Sequence, residues 1–293
     1  MTIVALMLVL TAAVFHATWN LAAKQAEKSG GGGPLFVCLF TFLSSVLYTP
    51  VALYILFRTP ADARPGLAHV GVVAVSALIH LGYYLTLQKG YRVGDLSIVY
   101  PVARGSAPLI ATAGAIAIFG ERPSPVAFLG ALLVSVSIFL LAGDRAGNAD
   151  PRAARRGVRY GLLIATIIAT YTLWDKHAVS GWLIAPVLVD WGANTIRTVM
   201  MLPYVLPRRA ELVREWKRNW PRAVQVAIFS PLAYILVLQA LSFTPASYIA
   251  PAREVSILVG TAMGARFLNE GVSWKRLAGA GTMVVALAAL ALG

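Results

Sequence analysis

Apolar runs long enough to cross a bilayer recur from one end of this chain to the other. Ten can be marked, at residues 2–23, 35–57, 67–87, 96–118, 125–143, 159–179, 183–206, 223–241, 247–267 and 277–293. A helix rises about 1.5 Å per residue, so about 20 apolar residues cover a hydrocarbon core of about 30 Å. Lipid offers no partner to backbone N–H and C=O groups, which leaves helices or a closed barrel as spanning structures. The runs are continuous and rich in Leu, Ala, Val and Gly, not alternating strands of about ten residues, so they point to helices. With 58% hydrophobic and 13% charged residues, the chain lies outside the soluble range. The longest connections, 144–158 and 207–222, are too short for a soluble domain. Cys38 is the only cysteine and allows no internal disulfide.

A net charge of +13 raises the question of nucleic acid. The positions of the charges answer it. Lys24 and Lys28, Lys89 and Arg92, the run from Arg145 to Arg159, the run from Arg208 to Arg222, and Lys275 with Arg276 all fall at alternate connections. Only Arg58, Arg64, Arg122 and Lys176 sit at the opposite ends of the spans. Basic residues favour the cytoplasmic side, so the expectation is a bilayer protein with both termini outside and no nucleic-acid partner.

The chain also repeats itself. HATWN at 16–20 has a counterpart in YTLWD at 171–175, YYLTLQ at 83–88 in YILVLQ at 234–239, and FGE at 119–121 in LNE at 268–270. Gly130 and Gly279 continue the series, and the tract Gly30 to Gly33 absorbs a small drift in spacing. Two halves of five spans each, residues 1–143 and 159–293 joined by a basic linker at 144–158, would insert upside down relative to one another, because five is odd. The expected fold is an all-α membrane protein, ten transmembrane helices in two inverted five-helix repeats around a central cavity.

Polar side chains are costly against lipid, so helical spacing indicates where a cavity lies. His16, Trp19 and Asn20 share one face at i, i+3 and i+4, and Tyr171, Trp174 and Asp175 repeat it. His80, Tyr83 and Tyr84 make a stripe ending at Gln88, matched by Tyr234 and Gln239, while Asp190, Asn194 and Arg197 line one face of the seventh run. The stretch SIVYPVARGSAP places Tyr100, Pro101, Arg104 and Pro108 inside an apolar run, and SYIAPARE repeats the pattern with Tyr248, Pro251, Arg253 and Glu254. Pro101, Pro108 and Pro251 are expected to kink their helices. Trp182, Trp216, Trp220 and Trp274 read as headgroup-level belt residues. Glu121 and Glu270, just before the fifth and tenth runs, read as caps at the positive ends of the helices that follow. For the polar pairs a structural role stays open beside solute contact, and close-packing faces leave a dimer open beside a monomer.

Ten spans in two halves, the WN and WD pairs, and a Gly/Asn-Glu turn before a Gly-containing last span in each half resemble the EamA type of the drug/metabolite transporter superfamily. The likeness covers essentially the whole chain, and within the superfamily it is most similar to the YddG-type exporters of aromatic amino acids. It implies a bacterial inner-membrane transporter that exports small metabolites, amino acids foremost, by alternating access, with a small-molecule substrate and no cofactor. A flippase, or an exporter of another metabolite or drug, is the alternative. An intramembrane enzyme lacks support, since the chain has no HExxH and no GxSxG, and the lack of a P-loop speaks against a self-contained ATP-driven pump.

Overall fold

The computed structural model describes residues 1–93, 96–142, 151–268 and 274–293 as helices joined by short turns, with no strand among them. The first half holds α1 (Ile3–Lys28), α2 (Gly33–Arg58), α3 (Leu67–Val93), α4 (Leu96–Phe119) and α5 (Pro125–Ala142). The second holds α6 (Pro151–Ser180), α7 (Pro186–Val205), α8 (Arg209–Phe243), the short α9 (Ala246–Ala252), α10 (Val255–Leu268) and α11 (Trp274–Leu292). Eight segments of the described residues are long and apolar enough to cross a membrane. One of these, Pro186–Phe243, takes in α7 and α8 together.

Local chemistry sets the helix ends. The Thr2 hydroxyl accepts the Ala5 N–H at 3.2 Å to start α1, and α2 and α7 begin with a proline in their first turn. Gly120, at φ +65°, ends α4 in a conformation that other residues resist. Three elements depart from the sequence reading. Helix α6 starts at Pro151, inside the stretch expected as linker, and α8 starts at Arg209 instead of 223. The run 247–267 is split, α9 ending at Ala252 and α10 beginning at Val255.

The extra length of α8 grips the connection between α1 and α2. Asn219 accepts the Ser29 hydroxyl at 2.7 Å, Glu215 accepts the Gly32 N–H at 3.0 Å, and Arg218 donates to the Gly30 carbonyl at 2.8 Å. A Cβ on Gly31 would lie 1.9 Å from the Asn219 amide nitrogen, so this close approach requires glycine.

Main pairings run between the halves: α1 with α8 and α10, α3 with α6 and α7, α2 with α7 and α8, α4 with α6, and α5 with α11. Exchanging α1 for α6, α2 for α7, α3 for α8, α4 for α9–α10 and α5 for α11 carries each of these pairings onto another or onto itself. At the α5–α11 seam the backbones nearly touch. A Cβ on Gly130 would lie 3.0 Å from the Ala286 carbonyl, one on Gly279 would lie 2.9 Å from the Leu141 nitrogen, and Ser137 donates to the Gly279 carbonyl at 2.7 Å. Small residues at helix interfaces permit this approach where burial of apolar surface gives no drive.

Candidate functional site

Between the halves lies a cavity of about 1040 Å³. Helix α1 lines it with His16, Trp19 and Asn20, α3 with His80, Tyr83 and Tyr84, and α4 with Tyr100, Pro101 and Arg104. The second half adds Tyr171 from α6, Asp190, Asn194 and Arg197 from α7, Tyr234 from α8, and Arg253 from the break between α9 and α10. The wall reaches the ends of α1, α3 and α5 and the starts of α4 and α11, at Lys24, Leu87, Ala142, Tyr100 and Arg276. The cavity opens there, with Asn20 and Lys24 exposed, and these are the ends whose connections carry the basic residues.

Charge and aromatic faces alternate on the wall. Arg104 Nη2 lies 2.9 Å from Glu254 Oε2, and Arg253 Nε lies 3.4 Å from Glu254 Oε1, so one buried carboxylate sits between two guanidiniums. Both arginine side chains are 12% exposed. Arg253 also donates to the Tyr171 hydroxyl at 3.3 Å, with its guanidinium 5.5 Å from the Tyr171 ring centre. The Tyr171 ring stacks on His80 with centroids 4.2 Å apart, and Tyr83 and Tyr234 meet it edge-on. On α7, Asn194 donates to Asp190 Oδ2 at 2.9 Å and accepts from Arg197 at 2.9 Å, so Asp190 and Arg197 are joined through the amide.

Other residues expected at the cavity lie elsewhere. Trp174 donates to the Val72 carbonyl at 2.9 Å, Gln239 is exposed beside Ser242, and Asp175 and Glu254 are fully buried behind the wall. Tyr248 lies at the opposite end, where its hydroxyl accepts the Ser124 N–H at 3.2 Å and donates to the Gly293 carbonyl at 3.1 Å. Helix α4 runs through Pro101 and Pro108 without a break, whereas the helix carrying Pro251 stops one residue later. Glu270, residue 143 and the linker residues 144–150 lie outside the described residues, as does the side chain of Gln88. The sequence reading omitted Lys24, Ser256 and Thr261 from the wall. Lys24 was legible, since it continues the face of His16 and Asn20 by one more turn.

The end opposite the mouth is held by contacts between the halves. Glu121 was expected to cap α5, the helix that follows it; its two oxygens instead accept the Ala246 and Ser247 N–H groups of α9, at 2.7 and 2.8 Å. The start of α5 is capped by Ser124, which accepts the Ala127 N–H at 3.1 Å. Within the second half, Lys176 of α6 donates to the Leu241 and Thr244 carbonyls at the end of α8, at 2.6 and 3.1 Å.

The profile of the EamA-like transporter family matches residues 3–143 and again 155–292. This chain belongs to that family. The family match covers both halves, so the EamA member is built from two repeats, and it is a multi-pass membrane transporter that takes a small-molecule substrate within the bilayer. No curated protein matches it. Among solved structures, one described as a crystal structure of a protein superposes with a TM-score of 0.73 at 17% identity, over 98% of this chain and 96% of its own. At that identity the likeness concerns the fold.

Proposed function

We propose that this EamA member exports amino acids with aromatic or other hydrophobic side chains across the bacterial inner membrane. Its ten crossings, counting α9 and α10 as one, form two inverted five-helix repeats with both termini outside, and transport proceeds by alternating access as a monomer. The observation that carries the reading is the cavity wall, in which Tyr171, His80 and Tyr83 offer ring faces beside the guanidiniums of Arg104 and Arg253. Rings accept rings or an ammonium group, and a guanidinium matches a carboxylate in two-point geometry. The volume stands at the top of the range of about 300–1,000 Å³ typical of small-ligand pockets. The resemblance to YddG-type exporters points to the same solutes.

Matched positions support alternating access. Asn20 is exposed near the mouth, while its counterpart Asp175 is buried at 0% towards the closed end. Inverted halves place equivalent residues at opposite depths, and exchange of the two arrangements would move the mouth to the other side. The mouth faces the basic connections, which the distribution of Lys and Arg puts in the cytoplasm. Proteoliposomes loaded with tryptophan, phenylalanine or threonine should release them down their gradients; absence of flux for every amino acid tested ends the substrate reading.

A further inference from the structure

Behind the cavity wall, His80 and Asp175 make an arrangement that solute binding does not require. Asp175 is 0% exposed, its Oδ2 accepts the Tyr234 hydroxyl, and among the described residues its Oδ1 has no hydrogen-bond partner. His80 Nε2 lies 3.8 Å from Oδ2. The other ring nitrogen, Nδ1, lies 3.0 Å from the Ser76 carbonyl oxygen. The Ser76 hydroxyl, which could donate to Nδ1, is farther away at 3.5 Å, and a carbonyl can only accept, so the closer contact assigns the hydrogen to Nδ1. In a neutral imidazole the bare lone pair of Nε2 then faces the carboxylate. Two acceptors turned towards each other in a buried site are unfavourable, and one added proton, on Nε2 or on the carboxyl group, makes the contact attractive.

The other buried acids are differently placed. Glu254 sits between Arg104 and Arg253, and Asp190 is joined to Arg197 through Asn194. Among the described residues, Asp175 has neither a guanidinium nor an ammonium in contact. The groups facing the pair are Ser76 on α3, Tyr171 on α6, Asp190 and Arg197 on α7, Tyr234 on α8 and Arg253 at the α9–α10 break. His80 touches the solute space directly, and through its stack on Tyr171 it is linked to Arg253.

We propose that His80 and Asp175 together form a proton-binding site and that the protein exchanges one proton for each solute, a coupling that rests on the transport reading above. The proton enters when the pair faces outside, forming an N–H or O–H bond, and leaves to water when the pair faces the cytoplasm. Solute travels the other way, and no further bond is made or broken. The location of Asn20 near the present mouth shows where the equivalent position stands at an open end. The opposite state brings Asp175 to the outer mouth.

The test uses the full chain in proteoliposomes. An imposed tryptophan gradient should drive protons in the opposite direction, read with a trapped pH dye, and Asp175→Asn and His80→Gln should lose that proton movement. Tryptophan flux without proton movement in the wild-type protein overturns the coupling and leaves the transport reading intact. Where tryptophan does not move at all, the transport reading fails, and the site is judged by infrared difference titration of the purified protein between about pH 5 and pH 8. A carboxyl or imidazole band that titrates in the wild type and is lost in both variants supports the site. Spectra identical in wild type and variants overturn it. Should either variant fail to fold, Tyr234→Phe removes one donor to Asp175 and must shift the titration; an unshifted band also overturns the proposal.

Discussion

SIVYPVARGSAP in α4 and SYIAPARE at the α9–α10 break combine the same residue types, tyrosine, proline and arginine, on different backbones. Helix α4 continues through two prolines, whereas its counterpart stops after Pro251 and restarts at Val255. Proline therefore does not decide the outcome by itself. The spacing differs, the arginine standing three residues after Pro101 but two after Pro251, and so does the residue after the arginine, Glu254 in the second half and Gly105 in the first. The tight turn, with the Glu254 N–H donating to the Pro251 carbonyl at 3.1 Å, turns the carboxylate between Arg104 and Arg253. In α4 a Cβ on Gly105 would lie 2.8 Å from the Phe139 ring, so any side chain there must push that ring aside. One half supplies a cation, and the other supplies a cation together with the acid that neutralises one charge of the two.

The sharpest way to break this asymmetry is Glu254→Ala. It strands two guanidiniums in the protein interior, and removal of one member of such a buried set costs about 3–5 kcal/mol. The expected result is a large drop in the thermal unfolding midpoint of detergent-solubilised protein; an unchanged midpoint would show that the acid does not hold the break. Next in size is Gly105→Ala, which pushes a methyl group into Phe139 at a cost of about 1–3 kcal/mol from overpacking. The same measurement should show the loss relieved by Phe139→Leu, and no relief would place the clash elsewhere. Smallest is Pro251→Ala, expected to change stability by less than about 1 kcal/mol, because the turn is held by the carboxylate and not by the ring. Amide exchange at Arg253 to Ser256 should stay as in the wild type, whereas new protection there would mean that the helix had healed and that proline had broken it.

Much of the architecture was legible because lipid removes most alternatives. Apolar runs marked the helices, and repeat spacing anticipated that α1 and α6 would play matched parts. Helix starts were less legible, because α6 and α8 extend beyond the apolar runs on polar, basic turns such as RAELVREWKRNW, whose partners lie elsewhere in the chain. In the cavity, helical spacing brought Tyr171, Trp174 and Asp175 onto one face but carried no information on depth. The wall follows α6 from Ile164 to Tyr171 and stops before the other two. Asn20, at the equivalent place in the sequence, lies on the open side. Glu121 was misassigned for a related reason, since proximity in sequence suggested α5 while the free amides it meets belong to α9 of the other half.

At Gly130 and Gly279 the backbones of α5 and α11 approach too closely for a lipid tail or a solute to pass between them. The two halves are thus bound along one edge in the manner of a book spine. Movement is to be sought at the far edge, in α2 and α7, which pack on each other and on α3 and α8. If transport proceeds by the alternating access proposed above, distance labels placed on α2 and α7 should change on addition of solute, and a pair placed across the spine should not.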